Sequence, residues 1–272
     1  MSLDEFNLIN RHIIVTGAAG LLGREFCEAI AQNKGIPIML DTNKNKLISI
    51  HESILIKYGI NSIYFDCDIT NELQLIKVNK LLETKNIQIR GIVNNAAINN
   101  SPQDITENSN RLEDYKIEQW KKEIDVGLTG AFIVIKIFAR NMLNHGKSCS
   151  IVNISSDLGL IAPDHRIYNL ENAELQFFKP VAYSVIKHGI IGLTKYISTY
   201  WLGKNIRCNT LSPSAVFSNQ SEKFINKLIK LIPMNRMSEK TEFNSALIFL
   251  LSDASSYMTG SNLILDGGRS TW

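Results

Sequence analysis

HIIVTGAAGLLG, residues 12–23, is the stretch of this sequence that decides the fold. Its first five residues are mostly apolar and β-branched, and they predict a buried strand that ends at Gly17. Apolar residues then recur at helical spacing from Leu21 to Ile30. A glycine turn between a strand and a helix lets the backbone approach a phosphate at the helix N-terminus. We therefore predict a nucleotide-binding turn, the alternative being a tight turn that needs glycine for its geometry alone.

The same unit of strand and helix repeats along the chain. Six further strands are predicted at 36–40, 62–65, 89–95, 150–155, 206–212 and 262–266, with helices at 44–58, 72–83, 118–144, 182–202 and 239–251. Alternating strands and helices predict parallel pairing with right-handed crossovers. We expect an α/β fold, a doubly wound parallel sheet of about seven strands with helices on both faces, in one domain over residues 1–272. Polar stretches near 99–114 and 157–181 are predicted to be inserted functional loops over the strand ends.

Composition argues against several classes of protein. The 272 residues are 44% hydrophobic, which is ordinary for a globular protein with a sizeable core. The net charge is only +3 and the basic residues are dispersed, so neither a nucleic-acid nor a membrane-surface partner is expected. The four cysteines lie far apart, which predicts neither disulfides nor a metal site. An acidic N-terminus, and Lys136 within the most apolar stretch, predict a cytoplasmic protein without a targeting or membrane-spanning segment.

Asp41 stands at the end of the second predicted strand. A carboxylate there can accept hydrogen bonds from both hydroxyls of an adenosine ribose and would repel a 2′-phosphate. Thr42 and Asn43 follow it, where an arginine would favour the phosphate, so the sequence favours NAD over NADP. The alternative is that Asp41 merely caps the next helix, a role that Thr42 or Asn43 could fill.

A second group of polar residues has the chemistry of proton transfer. Tyr183 and Lys187 are four residues apart, on the same face of a predicted helix. A cation beside a phenol stabilises the phenolate and lowers a pKa that starts at about 10. Ser155 and Ser156 follow a predicted central strand, where ligands of open parallel sheets bind, and a hydroxyl there could contact the same substrate oxygen as Tyr183. Alone, the tyrosine and lysine could be a chance pair on a solvated helix.

These features occur together and in one order: the glycine turn, Asp41, NNAA at 94–97, the serines after the fifth strand, and Y-x-x-x-K in the next helix. In this the chain resembles the short-chain dehydrogenase/reductases over nearly its whole length. Further matches are FDCDIT (65–70), IRCNTLSPSAV (206–216) and SDASSYMTGSNLILDGG (252–268).

The resemblance implies a Rossmann-type oxidoreductase that transfers hydride between a nicotinamide and an alcohol or ketone carbon. Ser156 would orient the substrate oxygen, Tyr183 would be the acid/base, and Lys187 would bind the nicotinamide ribose and lower the tyrosine pKa. Asp68 and Ile69 would flank the adenine. The other cofactor contacts implied are Tyr183 itself, Gly17, Ala19, Gly20, Leu21, Leu22 and Gly23 in the turn, Asn95, Ala96 and Ala97 in the groove, and Pro213, Val216 and Ser218 at the carboxamide. A homodimer or homotetramer is expected from the same resemblance.

Three departures from the family pattern matter. Compact members usually read T-G-x-x-x-G-x-G. Here the middle glycine is Gly20, one position earlier, and Leu21 occupies the family's glycine position, as in longer members that modify nucleotide sugars. Gly127 replaces an asparagine that is held to anchor a water of the proton relay, so the relay either runs through backbone and water or the glycine makes room for something. Tyr168 rivals Tyr183 in its distance from Ser156, but only Tyr183 begins a well-patterned helix with a lysine four residues on.

Polar side chains of the two inserted stretches suit a hydroxylated substrate better than an acyl chain. Asn99, Asp157 and Tyr168 are the predicted substrate contacts, and a sugar or sugar-derived alcohol is the predicted substrate class, as in family members that modify surface sugars and flagellin. One alternative is a 3-oxoacyl reductase of fatty-acid type, which normally uses NADP. Another is a non-catalytic NAD-binding scaffold or sensor, which Gly127 makes conceivable.

Overall fold

The computed structural model describes residues 3–98, 110–168 and 177–272. Seven strands form one sheet: β1 His12–Thr16, β2 Ile36–Asp41, β3 Ile63–Asp66, β4 Ile89–Asn94, β5 Cys149–Ile154, β6 Ile206–Pro213 and β7 Asn262–Leu265. Their order is β3-β2-β1-β4-β5-β6-β7, and every pair is parallel. The predicted α/β fold class is confirmed, and each predicted strand is present within a residue or so of its expected bounds.

The helices connect these strands on both faces of the sheet. They are α1 Leu21–Gln32, α2 Lys44–Tyr58, α3 Glu72–Thr84, α4 Ile117–Ile124, α5 Gly130–Asn144, α6 Val181–Tyr200, α7 Glu222–Leu228 and α8 Asn244–Leu251. The predicted helix at 118–144 is α4 and α5 joined by a π turn at Asp125–Thr129. The predicted helix at 239–251 begins with a 3₁₀ turn, Lys240–Phe243. Helix α7 was not predicted; its seven residues are too few for a periodic pattern, although Ser221 caps it.

Side chains of the central strands alternate between two apolar layers, as the pleat of a strand requires. Ile13 and Val15 of β1 face the layer that α1, α2 and α8 cover, where Phe26 and Leu247 are fully buried. Ile14 faces the opposite layer, covered by α3, α5 and the last turns of α6. Burial on both faces explains why the strands read as continuous apolar runs.

The segment Ile117–Asn144 is the stretch, among the described residues, that is long and apolar enough to cross a membrane. Half of its apolar window is buried inside the protein, and Val134, Phe138 and Met142 pack into the sheet's apolar layer. Its apolar character therefore comes from its place as a core helix.

The order of the strands reverses between β1 and β4. The chain leaves β1 towards β2 and β3 on one side, then returns to β4 and continues to β7 on the other. At such a switch point the connections after the two central strands diverge and leave a crevice at the carboxyl edge of the sheet. The loops after β1, β4 and β5 all end at this crevice, and they carry the glycine turn, Asn95 and Ser156.

Candidate active site

A cavity of about 940 Å³ runs along the carboxyl edge of the sheet. It brings together most of the site residues predicted from sequence: Gly17, Gly20, Leu21, Leu22, Asp41, Asp68, Ile69, Asn95, Ala96, Ala97, Ser156, Asp157, Tyr168, Tyr183, Lys187, Pro213, Val216 and Ser218. Ala19 of the turn and Gly23 in the first helical turn of α1 are not part of this lining, and Asn99 falls outside the described residues. Direct contact of each with a ligand stays a prediction.

Close packing explains the glycines of the turn. Gly17 has φ +63°, and a Cβ there would lie 2.7 Å from the Cα of Ala96. A Cβ on Gly23 would collide with the carbonyl oxygen of Gly17. The Asn95 side chain donates to the carbonyl oxygens of Thr16 and Gly17, 3.1 Å each, and so ties the loop after β4 to the turn. The exposed backbone at the start of α1 is thus a cradle that fits a phosphate group.

Asp41 connects the second strand to this turn. Its Oδ2 accepts a hydrogen bond from Ala19 N at 3.0 Å, and its Oδ1 accepts one from Asn43 N at 2.9 Å. Asn43 itself caps α2 by accepting from Lys46 N. The helix-cap alternative for Asp41 is therefore wrong, and its carboxylate lines the cavity where a ribose is expected.

The two serines after β5 have different partners. Ser155 Oγ donates to the carbonyl oxygen of Lys187 at 2.7 Å and so holds the loop to α6. Ser156 Oγ lies in the cavity lining and donates to Asp157 Oδ1 at 2.7 Å. The Lys187 ammonium donates to Ile154 O at 2.9 Å. The proton-transfer group predicted from sequence is thus assembled from β5, the loop after it, and α6.

The pKa values in this group differ from the expectation. Burial raises the pKa of Tyr183 to about 12, and a hydrogen bond with Ser156 only partly opposes the rise. Burial also lowers the pKa of Lys187 to about 8, and the neighbouring Lys179 ammonium lowers it further. The prediction that Lys187 depresses the tyrosine pKa is therefore wrong for the protein by itself. The Lys187 ammonium is 5.5 Å from the Tyr183 ring centroid, and the loss of water around the phenolate outweighs its charge.

A second lysine was missed from sequence. The Lys179 ammonium lies 3.9 Å above the centroid of the Tyr183 ring, a cation–π contact, and burial lowers its pKa to about 8. It is four residues before Tyr183, the spacing that singled out Lys187, but it precedes α6 in an irregular segment. Helical periodicity therefore gave no reason to place the two side chains together.

Asp157, a predicted substrate contact, is engaged by the protein itself. Its Oδ1 accepts from Ser156 Oγ and Leu158 N, and its Oδ2 accepts from Ser214 Oγ at 2.6 Å and from Arg269 at 2.8 Å. With both oxygens occupied, the carboxylate is better placed to position its neighbours than to hold a substrate. Arg269 was also missed, because it reaches the site from the far end of the chain.

Tyr168 lines the same cavity as the catalytic candidates. Its ring contacts Phe224 of α7 at 5.5 Å between centroids, and burial raises its pKa. It ends a 3₁₀ turn, His165–Tyr168, whereas Tyr183 has Lys187 one helical turn further along α6. This placement fits the predicted substrate contact and favours Tyr183 as the acid/base.

Gly127 lies in the π turn between α4 and α5 and faces α6. A Cβ there would lie 2.8 Å from Cγ2 of Ile186, the residue before Lys187. Of the two explanations considered for this glycine, the geometry favours the second, in which it makes room for a neighbour.

Comparisons with known proteins agree with this geometry. A family model described as enoyl-(acyl carrier protein) reductase matches residues 17–270. The chain is 30% identical over 264 residues to post-translational flagellin modification protein A of Campylobacter coli, covering 96% of this chain and 98% of that protein. It is 28% identical to an NAD-dependent glycerol dehydrogenase of Listeria innocua over 97% of this chain and 95% of the relative.

A solved structure agrees over the same length. The short-chain dehydrogenase of Leptospira borgpetersenii with bound NAD⁺ superposes with a TM-score of 0.84 at 28% identity, covering 99% of this chain and 96% of that one. The chain belongs to the short-chain dehydrogenase/reductase family. It is therefore an oxidoreductase that uses a nicotinamide dinucleotide.

Proposed function

We propose that this protein transfers hydride between NAD and a secondary alcohol or ketone carbon of a sugar, polyol or related substrate. The observation that carries the proposal is the single cavity in which Ser156, Tyr183 and Lys187 lie at the same edge of the sheet as the glycine turn. Two of the relatives are named for glycerol oxidation and for flagellin modification, which supports a hydroxylated substrate. A 3-oxoacyl substrate has less support, since Asp41 disfavours NADP.

The residues fit a dinucleotide along the whole cavity. The turn and the N-terminus of α1 would hold the pyrophosphate, Asp41 the adenosine ribose, and Asp68 and Ile69 the adenine. Lys187 would bind the far ribose, with Pro213, Val216 and Ser218 at the carboxamide. Bound NAD supplies the chemistry of accepting or returning a hydride at its nicotinamide ring.

Side chains of the protein then transfer the proton to or from the substrate oxygen. With a pKa of about 12, the Tyr183 phenol is protonated near neutral pH and can donate its proton to a ketone oxygen in the reducing direction. In the oxidising direction the proton of the alcohol would pass to the phenolate form, so this direction should be favoured as the pH rises towards the tyrosine pKa. Ser156 holds the substrate oxygen within reach of the phenol.

We further propose that the chain forms one domain and that the protein is a homodimer or homotetramer.

Exchange of the two tyrosines tests the function. Tyr183→Phe should lower turnover on the best alcohol of a polyol and sugar panel by roughly 10²–10⁴-fold, the usual value of general acid–base catalysis. The dissociation constant for NAD should stay within about twofold, because most of the contacts proposed for the dinucleotide come from other residues. Tyr168→Phe is the matched comparison: loss of a substrate contact should raise KM while kcat stays nearly unchanged. Loss of turnover with Tyr168→Phe alone would make Tyr168 the acid/base, and no turnover by the wild type on the whole panel would favour a non-catalytic NAD-binding protein.

A further inference from the structure

A buried network of charges connects the C-terminal residues to the catalytic candidates. Arg269 Nη1 lies 2.8 Å from Asp157 Oδ2, and the two residues are 6% and 2% exposed. Ser214, just after β6, donates to the same carboxylate oxygen at 2.6 Å. The other carboxylate oxygen accepts the Ser156 hydroxyl at 2.7 Å. Three parts of the chain, at residues 156–157, 214 and 269, thus meet at one carboxylate in the cavity lining.

The segment after β7 is built to hold Arg269 in place. Gly267 and Gly268 have φ +63° and +88°, and Cβ atoms there would lie 2.8 Å from Ile232 Cγ2 and 2.9 Å from Pro233 Cγ. Asp266 accepts hydrogen bonds from the backbone N–H groups of Gly268 and Ser270. The guanidinium is therefore directed inward by a turn with little freedom, and its place beside Asp157 is a fixed feature of the fold.

The consequence falls on the Ser156 hydroxyl. A hydroxyl has one proton to donate, and here the proton is directed to a carboxylate, a hydrogen bond of the stronger, charge-assisted kind. Leu158 N also donates to Ser156 Oγ at 3.2 Å. The Ser156 oxygen is thus held at one place in the cavity lining, within hydrogen-bond reach of Tyr183. Without Asp157 the hydroxyl could rotate among its staggered positions, and only a fraction of them would suit the substrate oxygen.

We propose that Asp157 and Arg269 are positioning residues that act through Ser156: the ion pair fixes the rotamer of Ser156, and so the position of its Oγ beside Tyr183 and the substrate oxygen. This inference rests on the proposed function, because it assigns the means by which the same site orients its substrate. It also replaces the direct substrate contact predicted for Asp157. Ser214 completes the arrangement by holding the second carboxylate oxygen.

A double-mutant cycle with Ser156 tests whether the effect passes through that side chain. Asp157→Asn should lower kcat/KM for the best polyol about tenfold, the effect of one charge-assisted hydrogen bond, and leave the NAD dissociation constant unchanged. In a Ser156→Ala background the same substitution should change kcat/KM, and the dissociation constant of the polyol for the NAD-loaded protein, less than twofold. Equal losses in both backgrounds would overturn the proposal.

Arg269 gives an independent test. Arg269→Met leaves Asp157 without its counter-ion, and the double variant Asp157→Asn with Arg269→Met leaves no unpaired charge, so it should fold and still show the tenfold loss. Added guanidinium ion should restore part of the turnover of Arg269→Ala, whose short side chain leaves room for it. Arg236→Met, which breaks the exposed pair with Glu242, is the control and should keep full turnover.

These variants separate failure of the proposed function from failure of the positioning role of Asp157 and Arg269. Wild-type turnover by Tyr183→Phe and Ser156→Ala would overturn the proposed function. Loss of turnover in those two variants, together with less than a twofold change in Asp157→Asn and Arg269→Met, would overturn only the positioning role.

Discussion

Asp41 is the residue on which the choice of cofactor depends. Its carboxylate both accepts from Ala19 N in the glycine turn and lines the cavity, so it couples the shape of the turn to the charge that a ribose would meet. A 2′-phosphate would bring a second negative charge to the same place, with a cost that a ribose hydroxyl avoids. Discrimination between NAD and NADP should therefore depend on the charge of this side chain.

Asp41→Asn isolates that charge, because an amide oxygen can still accept from Ala19 N. We expect NAD to bind less tightly and the preference for NAD over NADP to fall about tenfold or more, the effect of one hydrogen bond to a charged group. Dissociation constants for both nucleotides measure it. Asp66→Asn is a matched control, since Asp66 pairs with Asp41 in register on β3 but is exposed outside the cavity. An unchanged preference in Asp41→Asn would refute the assignment of NAD.

Some residues of the site can be predicted from the sequence and others cannot. Gly17, Asp41 and Tyr183 could be predicted because each follows a strand or begins a helix, so local spacing alone places it at the carboxyl edge. Arg269 could not, since 112 residues separate it from Asp157 and only tertiary packing brings the two together. The pKa of Tyr183 was also predicted in the wrong direction, because its degree of burial is not encoded in the spacing to Lys187.

At the scale of elements, the π turn between α4 and α5 is the feature that periodicity could not reveal. One extra residue in a turn barely changes an apolar pattern, and the sequence reads as one helix from 118 to 144. The turn brings Gly127 against Ile186 on α6, where a Cβ would lie 2.8 Å from Cγ2 and 3.0 Å from Cδ1. The turn between α4 and α5 is therefore packed closely against α6 at Ile186, the residue before Lys187.

Gly127→Ala tests this packing. Alanine in a helix normally stabilises a protein relative to glycine by roughly 0.5–1 kcal/mol, but overpacking costs about 1–3 kcal/mol. We expect a net loss in the free energy of unfolding, measured with urea. The same substitution should cost less in an Ile186→Ala background than in the wild type, because the atoms that a Cβ would meet are then absent. Gly192→Ala in α6 is the matched control, because a Cβ there meets open space and the variant should be stabilised. Stabilisation by Gly127→Ala to the same extent would contradict the close packing of α4, α5 and α6.

At the scale of the whole molecule, the alternation of strands and helices sufficed to predict a parallel sheet but not its order. The position of β1 between β2 and β4 depends on pairing between distant strands, and the switch point that creates the cavity follows from that order. Lys187 of α6 is 5% exposed, and its ammonium donates to the carbonyl oxygen of Ile154 at the end of β5. Its ammonium gains water only when α6 separates from the sheet, so its titration is coupled to unfolding.

The pH dependence of stability should report this burial. Because burial lowers the pKa of folded Lys187 to about 8, while an unfolded lysine titrates near 10.4, only the unfolded chain holds this proton between those values. The contribution of Lys187 to stability is therefore greatest above the unfolded pKa and is lost as the pH falls through the folded pKa. The difference in unfolding free energy between wild type and Lys187→Met should increase by roughly 1–2 kcal/mol from pH 7 to pH 9.5. Lys195→Met, exposed on the same helix, should show no such trend, and a flat difference for Lys187→Met would mean that water reaches its ammonium in the folded protein.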